Sequence, residues 1–199
     1  LNKYRWTKYF LLFTKLVEKI INTFYKFRIF IWKINNKQFD NFEYTSFVND
    51  EITDFINKNS NYELFYKNKK IFNWKLNYRW VIAAPLKDRL SPRYRFSSVL
   101  NNFDFFPIKL YNKNELISFA IIRIRNNRIT VPYFYYKEDG IKDFANLLCY
   151  HMILLKADSL ELYNQELINQ IQNSNFPFIY KKMIKKEIMI GKKYSNYDF

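Results

Sequence analysis

His151 and Cys149 are the sole imidazole and the sole thiol in 199 residues. Chemistry that needs a base near neutrality or a soft nucleophile therefore has one candidate of each kind. Cys149 stands among Leu147, Leu148 and Ile153, the setting of a small buried hydrophobe rather than of an activated thiolate. His151 falls well past the start of the helix expected to carry it, away from the end where chemistry would sit. One His and one Cys cannot build a Cys/His zinc site, so no metal site is expected. Tyrosine is the remaining reactive group. Tyr133, Tyr135 and Tyr136 crowd one short segment and Tyr163 follows another. A phenol near its reference pKa of about 10 is a poor base at neutral pH. Tyr133, Tyr135 and Tyr163 are candidate catalytic residues on reach alone, with core or rim packing as the competing role.

The elements that must position these residues are short and alternate in type. Phe42–Phe47 reads as a strand, and Asn49 with Asp50 starts a helix through Lys58. Ser60 or Asn61 is placed to cap a second helix carrying Leu64, Phe65, Ile71, Phe72, Trp74 and Leu76 and ending before Pro85. Tyr94–Val99, Phe105–Tyr111 and Leu116–Arg125 read as strands, and Asn126-Asn127 supplies a turn because Asn tolerates positive φ. Ile129–Tyr136 is dense in β-branched and aromatic residues but contains Pro132, which has no N–H for a ladder and predicts a bulge or an unpaired site. Asp139–Lys156 is a helix, Ser159–Tyr163 a strand and Gln165–Asn173 a helix. Phe176–Lys182 and Glu187–Tyr194 are expected as a closing strand pair.

Ahead of these, Phe10, Phe13, Leu16, Val17, Ile20, Ile21, Phe24, Phe27, Ile31 and Ile34 recur at spacings of three and four. Residues 4–34 should form an amphipathic helix. Lys8, Lys15, Lys19, Lys26, Arg28 and Lys33 interrupt it too often for a span of about 20 apolar residues or for a secretory leader. Residues 1–40 carry nine Lys or Arg against Glu18 and Asp40, a local charge of +7. Such a helix can lie on an anionic membrane surface, pack on the domain, or belong with an upstream domain preceding Leu1.

Apolar residues at 49% and charged residues at 26% place the chain among globular proteins rather than disordered ones. The length fits one domain, residues 41–199, behind the basic helical extension of residues 1–40. A net charge of +15 attracts anionic partners without choosing among nucleic acid, acidic lipid and a phosphorylated ligand. Phe and Tyr are abundant beside Asn, Lys and Ile throughout, so aromatic content is weak evidence for base stacking, and nucleic acid is not the favoured partner. The lone cysteine fits a reducing, cytoplasmic compartment, with peripheral membrane attachment as the alternative.

From Phe42 onward the order is strand, two helices, a run of antiparallel strands, helix, strand, helix and a strand pair. This resembles the GNAT N-acetyltransferase fold over about the last 150 residues: an α/β (α+β) domain with a central mixed, mostly antiparallel sheet flanked by helices. Glu115–Tyr136 (ELISFAIIRIRNNRITVPYFYY) is similar to the family's central hairpin, and Asn164–Phe176 (NQELINQIQNSNF) to its segment from an Asn through a short helix to a Gly-Phe. The family's loop Gln/Arg-x-x-Gly-x-Gly/Ala opens a helix whose N–H groups hold the CoA pyrophosphate. Here Lys137-Glu138-Asp139-Gly140-Ile141-Lys142 stands in that place. Lys137 stands in for the basic or polar first residue, Gly140 matches the first Gly, and Lys142 departs from the pattern, as Asn175 does where the family has Gly.

The resemblance implies a cofactor of acetyl-CoA or another acyl-CoA, with Val131, Tyr133, Lys137, Gly140, Ile141, Lys142 and Asn164 as binding positions. It implies transfer of the acyl group to a small-molecule or other amine. Ile171 occupies the position of the Tyr that often protonates the leaving thiolate in the family, and no carboxylate base lies in Ile129–Tyr136. Proximity alone can still support turnover. Two other readings remain open. One is a catalytically inactive binding module that keeps the fold. The other is a basic protein that binds nucleic acid or anionic membrane, helped by Lys181, Lys182, Lys185, Lys186, Lys192 and Lys193.

Overall fold

The computed structural model describes residues 7–36, 41–60, 68–78, 83–84, 98–99 and 102–184. It is a mixed α/β structure around a five-stranded, mostly antiparallel sheet. A long helix α1 (Thr7–Asn35) comes first, then strand β1 (Phe42–Tyr44) and helices α2 (Asp50–Asn59) and α3 (Lys69–Asn77). Ala83–Ala84 (β2) and Ser98–Val99 (β3) form a separate parallel pair. The main run is β4 (Phe103–Asn112), β5 (Glu115–Arg125), β6 (Arg128–Tyr136), α4 (Gly140–Leu154), β7 (Ser159–Glu161) and α5 (Gln165–Asn173). The sheet order is β1-β4-β5-β6-β7. All neighbours are antiparallel except β6 and β7.

Both tight hairpins are made by residues in the left-handed region. Lys113 and Asn114 join β4 to β5, and Asn126 and Asn127 join β5 to β6, all at φ between 47° and 68°. Two consecutive positive φ values match the twist of the flanking strands. Asn102 holds the second turn in place: its Oδ1 accepts the Asn127 N–H at 2.9 Å and its side-chain amide donates to Asn127 Oδ1 at 2.6 Å.

Alternation along the strands splits the core in two. On one face Ile108, Ile122, Ile129 and Val131 pack under α4 and α5 with Phe144, Leu148 and Leu167. On the other, Phe119, Ile121 and Tyr135 pack under α2 and α3 with Ile52, Phe55 and Phe72. Side-chain oxygens of Asn49, Asn68 and Asn164 cap α2, α3 and α5.

Several expected bounds shift. The second helix begins at the Asn68 cap instead of at Ser60 or Asn61, because Asn68 offers an acceptor to the Ile71 N–H at 3.0 Å; part of its expected span, residues 61–67, lies outside the described residues. The strand expected over Ser159–Tyr163 stops at Glu161. Of Tyr94–Val99 only Ser98 and Val99 are described, as strand. Phe176–Lys182 is not a strand. Its buried residue Phe176 meets Trp32 of α1 edge-on at 5.1 Å, so tertiary packing rather than a ladder accounts for the apolar spacing. Glu187–Tyr194 lies outside the described residues.

Candidate functional site

Pro132 marks where β6 changes character. The β5–β6 register runs without a break from Ser118↔Tyr136 to Ile121↔Tyr133, then shifts before Arg123↔Thr130. Between these last two pairs β5 advances two residues and β6 three, so β6 carries an extra residue next to Pro132, a β-bulge. On its other side β6 pairs with β7 only through Arg128, Ile129 and Thr130. From Val131 to Tyr136 no strand continues that pairing, so among the described residues this length of backbone edge is open.

The sequence-predicted residues distribute around this opening in three groups. Val131 is buried on the α4 face. Tyr133 and Tyr135 point the other way, toward α3. Tyr135 is 2% exposed, meets Phe72 edge-on at 6.4 Å and lies parallel to Phe119, which places it in the core. Tyr133 stands edge-on to Phe72 at 5.1 Å, and the Lys75 ammonium both donates to its hydroxyl and lies 4.9 Å from its ring centroid.

The turn from β6 into α4 holds the second group. The Lys137 N–H donates to the Ile117 carbonyl and the Gly140 N–H to the Lys137 carbonyl, each at 2.9 Å. Lys137 Nζ pairs with Glu115. A Cβ on Gly140 would collide with Ser118 Oγ and lie 2.6 Å from the Ile117 carbonyl oxygen. Close approach of helix to strand therefore requires this glycine, whatever binds nearby. Ile141 is buried. Lys142 is exposed and lines a cavity of about 490 Å³ between α1 and α4, opposite Arg28 and beside Asn35, Asn146 and Asn173. β6 does not border this cavity, which is separate from the open edge.

Asn164 belongs to the third group. Its Oδ1 accepts the Leu167 N–H at 2.8 Å as the α5 cap, and its side chain also reaches the Tyr136 hydroxyl. Tyr136 donates that hydroxyl to Glu166 Oε2 at 2.9 Å, linking the end of β6 to the first turn of α5. Burial raises the Tyr136 pKa; Asn164 pulls it down by a smaller effect, and Glu166 adds to the rise. The pairing of Tyr136 with Glu166 spans 30 residues of sequence, and no local pattern announces it. Tyr163 is 59% exposed and donates to Glu161 at 2.8 Å, on the surface beyond β7. Ile171 is buried in the core. Asn175 adopts φ 53°, a conformation suited to Gly or Asn.

His151 is fully buried and serves structure. Its Nδ1 lies 2.8 Å from the Leu147 carbonyl, which can only accept, so Nδ1 carries the proton and Nε2 accepts from the Tyr44 hydroxyl at 2.6 Å. Burial lowers its pKa, with the Leu147 contact pulling weakly the other way. Burial likewise pushes the Cys149 thiol up to about 12, despite Ser174 Oγ at 3.8 Å, which leaves it protonated and inert. Among the described residues no three His, Cys, Asp or Glu side chains converge to hold a metal, and no helix is long and apolar enough to cross a membrane.

No protein-family model matches this sequence, and no curated protein matches it.

Proposed function

We propose that the chain is a GNAT-like acyltransferase that moves an acyl group from acyl-CoA, or a related thioester, to an amine. The observation that carries this reading is the open edge of β6 from Val131 to Tyr136, beginning at the Pro132 bulge and facing away from β5. A pantetheine arm presents amides at intervals that suit pairing with exposed strand backbone, as an added strand would. The order of strands and helices supports the same reading.

Charge supplies the second support. Lys142 stands in the first turn of α4, and Arg28 lines the same cavity; two cations there suit phosphate groups. Glu138 and Asp139 work against an anion there. Tyr136 and Glu166 are the polar pair nearest the end of the open edge. The reaction forms a C–N bond to the amine and breaks the thioester C–S bond, and the amine proton passes to water or to the departing thiolate. Holding amine and thioester together is the main service this edge would provide.

The inactive binding module keeps one specific support: Gly140 and Asn164 each have a structural duty that requires no ligand. Thioester consumption separates the two readings. Acetyl-CoA would be incubated with the full chain and a panel of primary amines, and free thiol read spectroscopically. Amine-dependent thiol release above the protein-free rate is expected. Calorimetric binding of acetyl-CoA without turnover on any amine would favour the module, and absence of binding would remove the acyl-CoA reading altogether.

A further inference from the structure

Among the described residues, helix α1 touches the rest of the molecule along one narrow side. Beyond Val17, the side chains of α1 and its last turn that lose exposure are Tyr25, Ile29, Trp32 and Asn36. These fall within about 60° of one another around the helix axis. Trp32 is the anchor: it is 4% exposed, and its Nε1–H donates to the Ser174 carbonyl at 3.1 Å.

The apolar face of α1 lies elsewhere. Phe13, Ile20, Phe24, Phe27, Ile31 and Ile34 are 41% to 63% exposed. With Val17 they repeat in steps of four, three, four, three, four and three. That is an unbroken heptad spacing, with Val17, Phe24 and Ile31 at a and Phe13, Ile20, Phe27 and Ile34 at d. Leu16, Ile21 and Phe30, each more than half exposed, flank the seam at e and g. Monomeric proteins rarely leave an apolar patch of more than a few hundred Å² uncovered.

We propose that α1 pairs in parallel with α1 of a second copy of this chain. Three features fit that occupant. First, a seven-residue repeat drifts about 20° per heptad on a straight helix. Over three heptads the seam slants across a plane, but it stays in register with a helix that supercoils around it. Second, the lysines avoid the seam: Lys19, Lys26 and Lys33 are at c and Lys15 at f, where they face water. In a parallel pair the flanking contacts are Leu16 with Ile21, Thr23 with Arg28 and Phe30 with Asn35, none of them a pair of like charges. Third, the ten seam and flanking residues would bury on the order of 1,000 Å² per helix, against about 800 Å² per partner in a standard stable interface. The domain hangs from the b and f positions; Ile31 is the seam residue that borders it, at the cavity between α1 and α4.

The test is the mass of the full chain in solution by light scattering at micromolar concentration, which should be twice the chain mass. Phe24→Asp should give a monomer whose domain melts as the wild type does, since Phe24 is 62% exposed and supports no core. Lys26→Glu, on the outer face, should stay dimeric. Phe24→Cys should form a covalent dimer on mild oxidation and Lys26→Cys should not; Cys149 is buried and will not compete. A monomeric wild type, or a dimer that survives Phe24→Asp, overturns the proposal. So does a monomeric chain that co-sediments with phosphatidylserine vesicles through Phe24, which assigns the face to a membrane instead.

Discussion

The outermost strands of the sheet are equally short, three paired residues each, yet they border different surroundings. At one side β1 pairs with β4 through Phe42, Glu43 and Tyr44, and the junction is fastened beyond the strand. Backbone bonds continue at both ends, from Tyr111 N–H to the Asn41 carbonyl at 2.8 Å and from Thr45 N–H to the Pro107 carbonyl at 3.0 Å. Tyr44 reaches across to His151, and Lys109 Nζ reaches Glu43 at 2.8 Å. Burial alone would lower the Lys109 pKa, but Glu43 and Tyr111 more than offset it and hold the ammonium above its ordinary value. At the other side β7 pairs with Arg128–Thr130 and then departs, just before Pro132. Strand length therefore does not decide whether an edge closes. Among the described residues, backbone bonds run past both ends of β1, whereas at β7 they continue at the Ser159 end alone, from the Asp158 N–H to the Asn127 carbonyl at 2.8 Å.

The strongest way to break this comparison is at the turn that ends the open stretch. Gly140→Val should cost about 3 kcal/mol in urea denaturation, because its Cβ has no room against Ser118 and Ile117. An unchanged unfolding midpoint would mean that the turn is free to move and that Gly140 answers to something other than packing.

The fastened edge is probed by His151→Leu. Loss of the imidazole leaves the Tyr44 hydroxyl without its partner and removes the side-chain bond to the Leu147 carbonyl, which keeps its helical one, at a cost of roughly 2 kcal/mol. The pH dependence has a definite sign. With the folded pKa of His151 lowered, the unfolded chain takes up a proton below about pH 6.5 that the folded chain resists. Wild-type stability should therefore fall between about pH 7 and 5.5, and the variant should lose that slope. Equal slopes in the two proteins would show that His151 titrates freely in the fold.

How much of this was legible in the sequence follows from the range of each interaction. Pro132 announced its bulge because the missing N–H is a local property, and Asn126-Asn127 announced its turn through local φ tolerance. Gln165–Asn173 was legible because the Asn164 cap lies next to its helix. Phe176–Lys182 misled because apolar spacing looks the same whether a ladder or Trp32 satisfies it. The junctions of Tyr44 with His151 and of Tyr136 with Glu166 join residues 107 and 30 apart, and nothing in either segment alone names the partner. The open edge was invisible for the same reason: its extent is set by where β7 leaves, not by anything within β6 beyond Pro132.

Backbone hydrogen exchange of the full chain, with and without saturating acetyl-CoA, tests the open edge most directly. Slowed exchange is expected at Phe134 and Tyr136, whose N–H groups alternate with those paired to β5 and face the open side, with the β1–β4 junction unchanged. Unaltered exchange along β6 under conditions where calorimetry detects binding would contradict it, because the ligand would then be seated elsewhere.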